Sequence, residues 1–197
     1  ACVELEALGG KSSIEEGIAN TPRQERGAFE NVNEVKIPKG VLKRGRFPEV
    51  FKALKILRDK YNGRIPIVSM IVGPMVLACF TVGITKIYKM MIRDVENIKR
   101  ILSILSDLCI VYGNEQLKCG SDVVGMSEPF VSGLGVKQFK DIIIPVYQKI
   151  SKGIKGPVWI HICGDTSKLL EYIPSSGFEA FSFDAPLVST KQVKETI

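Results

Sequence analysis

The sequence predicts an α/β fold built on a parallel sheet. Short apolar runs bounded by Gly and Pro recur along the chain, and a helix-period segment follows each of them. Alternation of this kind indicates βα units. Either an open doubly wound sheet or a (β/α)8 barrel satisfies it. No G-x-G-x-x-G follows a strand, so the dinucleotide-binding version has no support. A barrel takes about 250 residues. At 197 residues the chain is short of that, so a barrel here would be incomplete, and residues 1–197 are expected to form one domain.

The elements follow in order. Residues up to about Gly10 finish an element, and Lys11 to Gly45 is polar with little periodicity, carrying at most a short strand at "NEVKIP". "FPEVFKALKILRDKYNG" places Val50, Phe51, Leu54, Ile56 and Leu57 on a helical stripe that ends at Asn62-Gly63. Ile65 to Val72 reads as a buried strand, and Pro74 then opens an apolar helix. The long helical segment from Ile84 to Gly120 is expected to break near Arg93-Asp94. "SDVVGMSEP" is a strand entering a loop, "VKQFKDIIIPVYQKISKGI" a helix kinked at Pro145, and "GPVWIHICG" a strand. "TSKLLEYIPSSG" is a short helix, "FEAFSFDAP" a strand, and "STKQVKETI" the start of another helix.

Composition narrows the function. The 27 basic residues against 21 acidic give +6, but they are interspersed, which argues against nucleic acid as a partner. A modest positive field still attracts an acidic substrate or protein. The five cysteines are odd in number and widely spaced, with no signal peptide ahead of them, which reads as a reducing, cytoplasmic setting. The chain opens on Ala1 rather than Met, so further native sequence is expected before it. Ile65 to Thr85 carries no charge and is nominally long enough to cross a bilayer. Pro66, Gly73-Pro74 and Gly83 cut it into pieces, so no membrane span is expected.

The chemistry gathers at "PVWIHICGDTS", which holds the only histidine. Residues i and i+2 of a strand share a face, so His161 and Cys163 project side by side from its carboxyl end. Imidazole and thiolate suit two corners of a zinc tetrahedron. A small buried cysteine beside a hydrogen-bonded histidine fits the same spacing. Glu128 in "GMSEP" and Asp184 in "SFDAP" occupy equivalent strand ends, where each can orient the histidine or approach a metal, or stay solvated. Cys79, Cys109 and Cys119 read as structural.

"HICG" after an apolar strand, preceded by "SDVVGMSEPFVSGLGVKQFKDIIIPVYQKI" and followed by "FEAFSFDAP", resembles the methylcobamide:coenzyme M methyltransferases of the uroporphyrinogen decarboxylase-like superfamily. "CVELEALGG" and "VSMIVGPMVLA" fit the same family. The resemblance implies a (β/α)8 TIM barrel, here truncated at both ends and forming a single partial domain. It also implies zinc on His161 and Cys163 with a second, distant cysteine. No cysteine follows Cys163, so that ligand has no counterpart. Glu4 and Glu6 match the family's acidic pair before "ALGG", where a surface pair fits as well.

The implied activity is zinc-dependent transfer of a methyl group from a corrinoid (methylcobamide), carried on a partner protein, to the thiol of coenzyme M or a related acceptor, in methanogenesis-type metabolism. Two alternatives stand. One is a metal-free decarboxylase-like lyase, against which the H-x-C weighs. The other is a non-catalytic partial barrel that binds a corrinoid protein.

Overall fold

The computed structural model describes residues 2–14, 22–185 and 187–197. Helix α1 (Cys2–Leu8) leads into a hairpin, β1 (Lys11–Ile14) and β2 (Pro22–Arg26), and then into helix α2 (Phe47–Tyr61). The βα alternation starts at β3 (Val68–Val72), followed by α3 (Pro74–Val82), α4 (Ile84–Arg93) and α5 (Val95–Lys118). Strand β4 (Val123–Ser127) precedes a helical stretch of α6 (Val136–Gln138), a π-turn (Phe139–Ile143) and α7 (Ile144–Gly153). Strand β5 (Val158–Ile162), a 3-10 helix (Ser167–Ser176), β6 (Ala180–Phe183) and α8 (Thr190–Thr196) complete it.

Strands β3, β4, β5 and β6 form one parallel sheet in chain order. It is an open arc of an α/β fold. The two faces differ sharply. Ile71, Val124, Met126, Val158, Ile160 and Ile162 lie on one face and are buried with the helices, each worth roughly 1.5–3 kcal/mol. The register aligns Met70, Gly125 and Trp159 on the opposite face, with Val72, Ser127, His161 and Ser182 one layer above them. Val68 and Met70 are 51% and 45% exposed there. Parallel sheets ordinarily cover both faces, so an apolar open face has the character of a barrel interior.

The local signals explain most boundaries. Asn62 adopts the left-handed conformation that ends α2, and Pro74 stands at the start of α3, where its missing N–H costs nothing. Gly83 at φ 117° separates α3 from α4, and the two helices are bent by 116°. Among the described residues no single helix is long and apolar enough to cross a membrane. The expected break at Arg93-Asp94 is present, and Asn97 donates to the Asp94 carboxylate across it at 2.9 Å. The kink at Pro145 takes the form of the π-turn just before it, which leaves the proline in the first turn of α7.

Two expectations are corrected. "NEVKIP" holds no strand: Val32–Glu34 is a 3-10 turn, held by a capping box between Asn31 and Glu34. That reciprocal pair satisfies two backbone donors locally and outweighs the β-branched pattern. The hairpin β1–β2 occupies the segment read as unstructured. The short helix expected after β5 is present at Ser167–Ser176, wound as a 3-10 helix that contains Pro174.

Gly73 links β3 to α3, and a Cβ built on it would lie 1.8 Å from Oε1 of Glu128. Gly73→Ala must therefore displace a buried carboxyl, at a cost of about 1–3 kcal/mol. The expected result is a lower urea midpoint with an unchanged m-value; an unaltered midpoint contradicts the packing.

Candidate metal centre

His161 is the next-to-last residue of β5, directly opposite Ser127 on β4 and Ser182 on β6. Cys163 follows the strand by one residue, and Gly164, at φ +86°, turns the chain away. The two side chains converge: Nε2 of His161 stands 3.1 Å from Sγ of Cys163. On the other side of the ring, Nδ1 stands 3.0 Å from Oγ of Ser182. Asp184 completes the cluster, with Oδ1 3.9 Å from Nε2 and Oδ2 accepting from the Gly164 N–H at 2.7 Å.

Zinc bound tetrahedrally at ordinary Zn–N and Zn–S lengths separates nitrogen from sulfur by about 3.5 Å. The pair needs to open by only a few tenths of an ångström to hold it. Two donors therefore fit. Among the described residues, however, no group of three or more His, Cys, Asp and Glu side chains is placed to hold a metal ion together. Burial, followed by the charge of Asp184, raises the Cys163 thiol pKa, so a bound cation must displace the thiol proton.

The other candidate acids serve elsewhere. The Glu128 side chain is fully buried, and its Oε1 accepts from the Met75 N–H at 2.9 Å, in the first turn of α3. Its backbone N–H donates to the His161 carbonyl at 2.8 Å, which ties it to the H-x-C strand through the main chain. Glu4 accepts from the Val72 N–H at 3.1 Å, at the end of β3. Glu6 receives both Nε and Nη2 of Arg46 at 2.8 Å and a hydroxyl hydrogen bond from Ser12. The Arg46 guanidinium holds its carboxyl below the usual range. Cys79, Cys109 and Cys119 are buried, as a structural role requires. The roughly 510 Å³ cavity between the Arg26–Glu34 segment and the end of α3 shares no residue with the cluster.

Ser182 carries no motif signal. Only the β5–β6 register pairs it with His161, although its place two residues before Asp184 on a strand puts both on one face.

The family model "Uroporphyrinogen decarboxylase (URO-D)" matches residues 1–197, and the chain belongs to that family. A methylated-thiol--coenzyme M methyltransferase of Methanosarcina mazei is 29% identical, over 97% of this chain and 52% of that protein. The methylcobamide:CoM methyltransferase MtaA of Methanosarcina barkeri is 28% identical, over 85% and 50%. A uroporphyrinogen decarboxylase of Actinobacillus succinogenes is 28% identical, over 68% and 42%. The chain spans about half the length of these curated relatives. A solved methyltransferase from Methanosarcina mazei superposes with a TM-score of 0.93 at 27% identity, covering 99% of this chain and 58% of that one.

Glu128 also generates a stability prediction. Burial pushes its carboxyl up to about 8 from the ordinary carboxyl value of 4.5, against the pull of the Met75 and Val76 N–H groups. The unfolded chain ionises this group at the lower value, so between the two the folded state binds more protons. Stability is greatest below the unfolded pKa and falls through this window by about 1.4 kcal/mol per pH unit. Glu128→Gln keeps an acceptor for Met75 without the titration. Unfolding titrations should show the wild type losing stability from pH 5 to 8 relative to this variant; parallel profiles contradict the assignment.

Proposed function

We propose that this chain forms the zinc-binding part of a methyltransferase that moves a methyl group from a methylated corrinoid protein to the thiol of coenzyme M or a closely similar acceptor. The observation that carries the reading is the convergence of His161 Nε2 and Cys163 Sγ, 3.1 Å apart, at the carboxyl end of a parallel strand. Active sites of β/α barrels lie at that end. The two methyltransferase relatives match longer stretches of the chain than the decarboxylase does, and support the same choice.

His161 and Cys163 would hold the zinc, and Asp184 is the nearest further donor. When bound, zinc lowers the pKa of a coordinated thiol so that the acceptor sulfur is present as thiolate at neutral pH. The residues' own work is positional. The sheet register fixes the imidazole, Gly164 lets the chain leave without covering the sulfur, and Asp184 braces that turn through the Gly164 N–H. The acceptor thiolate would take the methyl group from the corrinoid donor, a carbon–sulfur bond forming as the cobalt–carbon bond breaks and the electron pair of that bond staying with the donor. The thiol proton leaves to solvent.

A decarboxylase-like lyase is the second reading, favoured by the family model and the decarboxylase relative. It makes no use of the sulfur. Cys163→Ala separates the two. Zinc retained after dialysis should drop by more than the roughly 10–100-fold change in affinity that follows loss of a ligand's hydrogen-bond partner. A chimera completed with the carboxyl-terminal part of the Methanosarcina mazei relative should consume methylcobalamin only with Cys163 present. Retained zinc and an unchanged rate in the variant would overturn the methyltransferase reading.

A further inference from the structure

We infer that the segment from Lys36 to Arg64, with the outer face of α2 at its centre, is a docking surface for an acidic protein. The charge of the chain is concentrated there. The segment holds ten of the 27 basic residues and two of the 21 acids, Glu49 and Asp59, so the rest of the chain is close to neutral. The four arginines are engaged within the fold: Arg44 donates to the Ala7 carbonyl, Arg46 pairs with Glu6, Arg58 with Asp122, and Arg64 donates to the Tyr61 carbonyl. The six lysines, Lys36, Lys39, Lys43, Lys52, Lys55 and Lys60, are all exposed. Among the described residues none of these lysines is in an ion pair.

Helix α2 is attached by one face, on which Phe47 and Leu54 are buried. Away from that face Ala53, Ile56 and Leu57 are exposed, Ile56 to 58%, and Ile65 beyond the helix end is exposed to 52%. Ile56 stands one turn from both Lys52 and Lys60. An aliphatic centre inside a charged rim is the anatomy of a protein interface. The rim is positive, so the complementary surface is acidic with an apolar spot of its own. Nucleic acid suits it less, because the cations left unpaired are all lysines, point charges without the guanidinium fork that grips phosphate, and the aliphatic side chains gain nothing from a phosphate backbone. A membrane suits it less as well, because the strip carries no Trp or Phe and few aliphatic side chains. Arg58 donates to the Gly120 carbonyl just ahead of β4, and α2 leads to the amino end of β3. The surface therefore extends toward the end of the sheet opposite His161, and a protein held there leaves the rim open.

Three probes test the inference: a synthetic helical peptide with glutamates around a leucine stripe, a short DNA duplex, and vesicles of phosphatidylglycerol and phosphatidylcholine. The peptide should bind tightest, should outbind a scrambled peptide of the same composition, and should associate more slowly as salt rises. Lys52→Glu with Lys60→Glu should slow its association about 10-fold or more at low salt. Lys52→Gln with Lys60→Gln, which adds no carboxylate to the helix, should give an intermediate rate. Ile56→Ser with Leu57→Ser should leave association unchanged and speed dissociation. Tighter binding of the duplex or the vesicles, equal binding of the scrambled peptide, or rates that none of these pairs moves would overturn the inference. It stands independently of the zinc reading.

Discussion

Ser127, His161 and Ser182 lie on one rung of the parallel ladder, with Val72 beside Ser127 on the next strand. That single row organises the rim. A slip of one residue between β5 and β6 would send Ser182 to the helix-covered face and leave Nδ1 without its partner. The slip is opposed by the core. Phe181 and Phe183 on β6, the register partners of the buried Ile160 and Ile162, pack against the core on the helix-covered face, and a shifted β6 would turn them away from it. Hydrophobic burial on one face thus holds the polar chemistry on the other in place. The chain asks little of the ligand side chains themselves.

The helix-covered face carries a polar feature of its own. Glu128, just past the end of β4, reaches the first turn of α3, whose own N-cap, Gly73, has no side chain to offer. The acid does the capping from a neighbouring strand, and Gly73 is small because the carboxyl occupies the place of its Cβ. The same residue donates its backbone N–H to His161. One buried acid therefore joins the β3–α3 turn to the strand that bears the candidate ligands. Among the described residues its Oε2 has no hydrogen-bond partner, which agrees with a carboxyl kept neutral by burial.

Elements with strong local chemistry are legible in the sequence. Asn62-Gly63, Gly73-Pro74, Asp94 and Pro145 each mark a real boundary, because positive φ, a missing N–H or a side-chain cap acts within a few residues. His161 and Cys163 were legible for a related reason: strand alternation alone puts i and i+2 on one face. What escaped depends on partners distant in sequence. Nothing near Ser182 announces His161, and nothing in "GMSEP" says that Glu128 turns toward α3 rather than toward the histidine. The hairpin β1–β2 lacks the alternating apolar pattern that announces strands, and the capping box at Asn31 competes with a β-branched run that points the other way. The membrane-length apolar run resolves into a strand and a buried helix through Gly and Pro alone.

The central claim is that one imidazole nitrogen and one sulfur of this rim bind zinc and leave room for an external thiol. X-ray absorption at the zinc edge of the loaded protein tests it most directly. The account predicts one protein sulfur at about 2.3 Å and one imidazole nitrogen at about 2.0 Å, with a second sulfur appearing when coenzyme M is added. A shell of oxygen alone, or a sulfur count that does not change with the thiol, would contradict it.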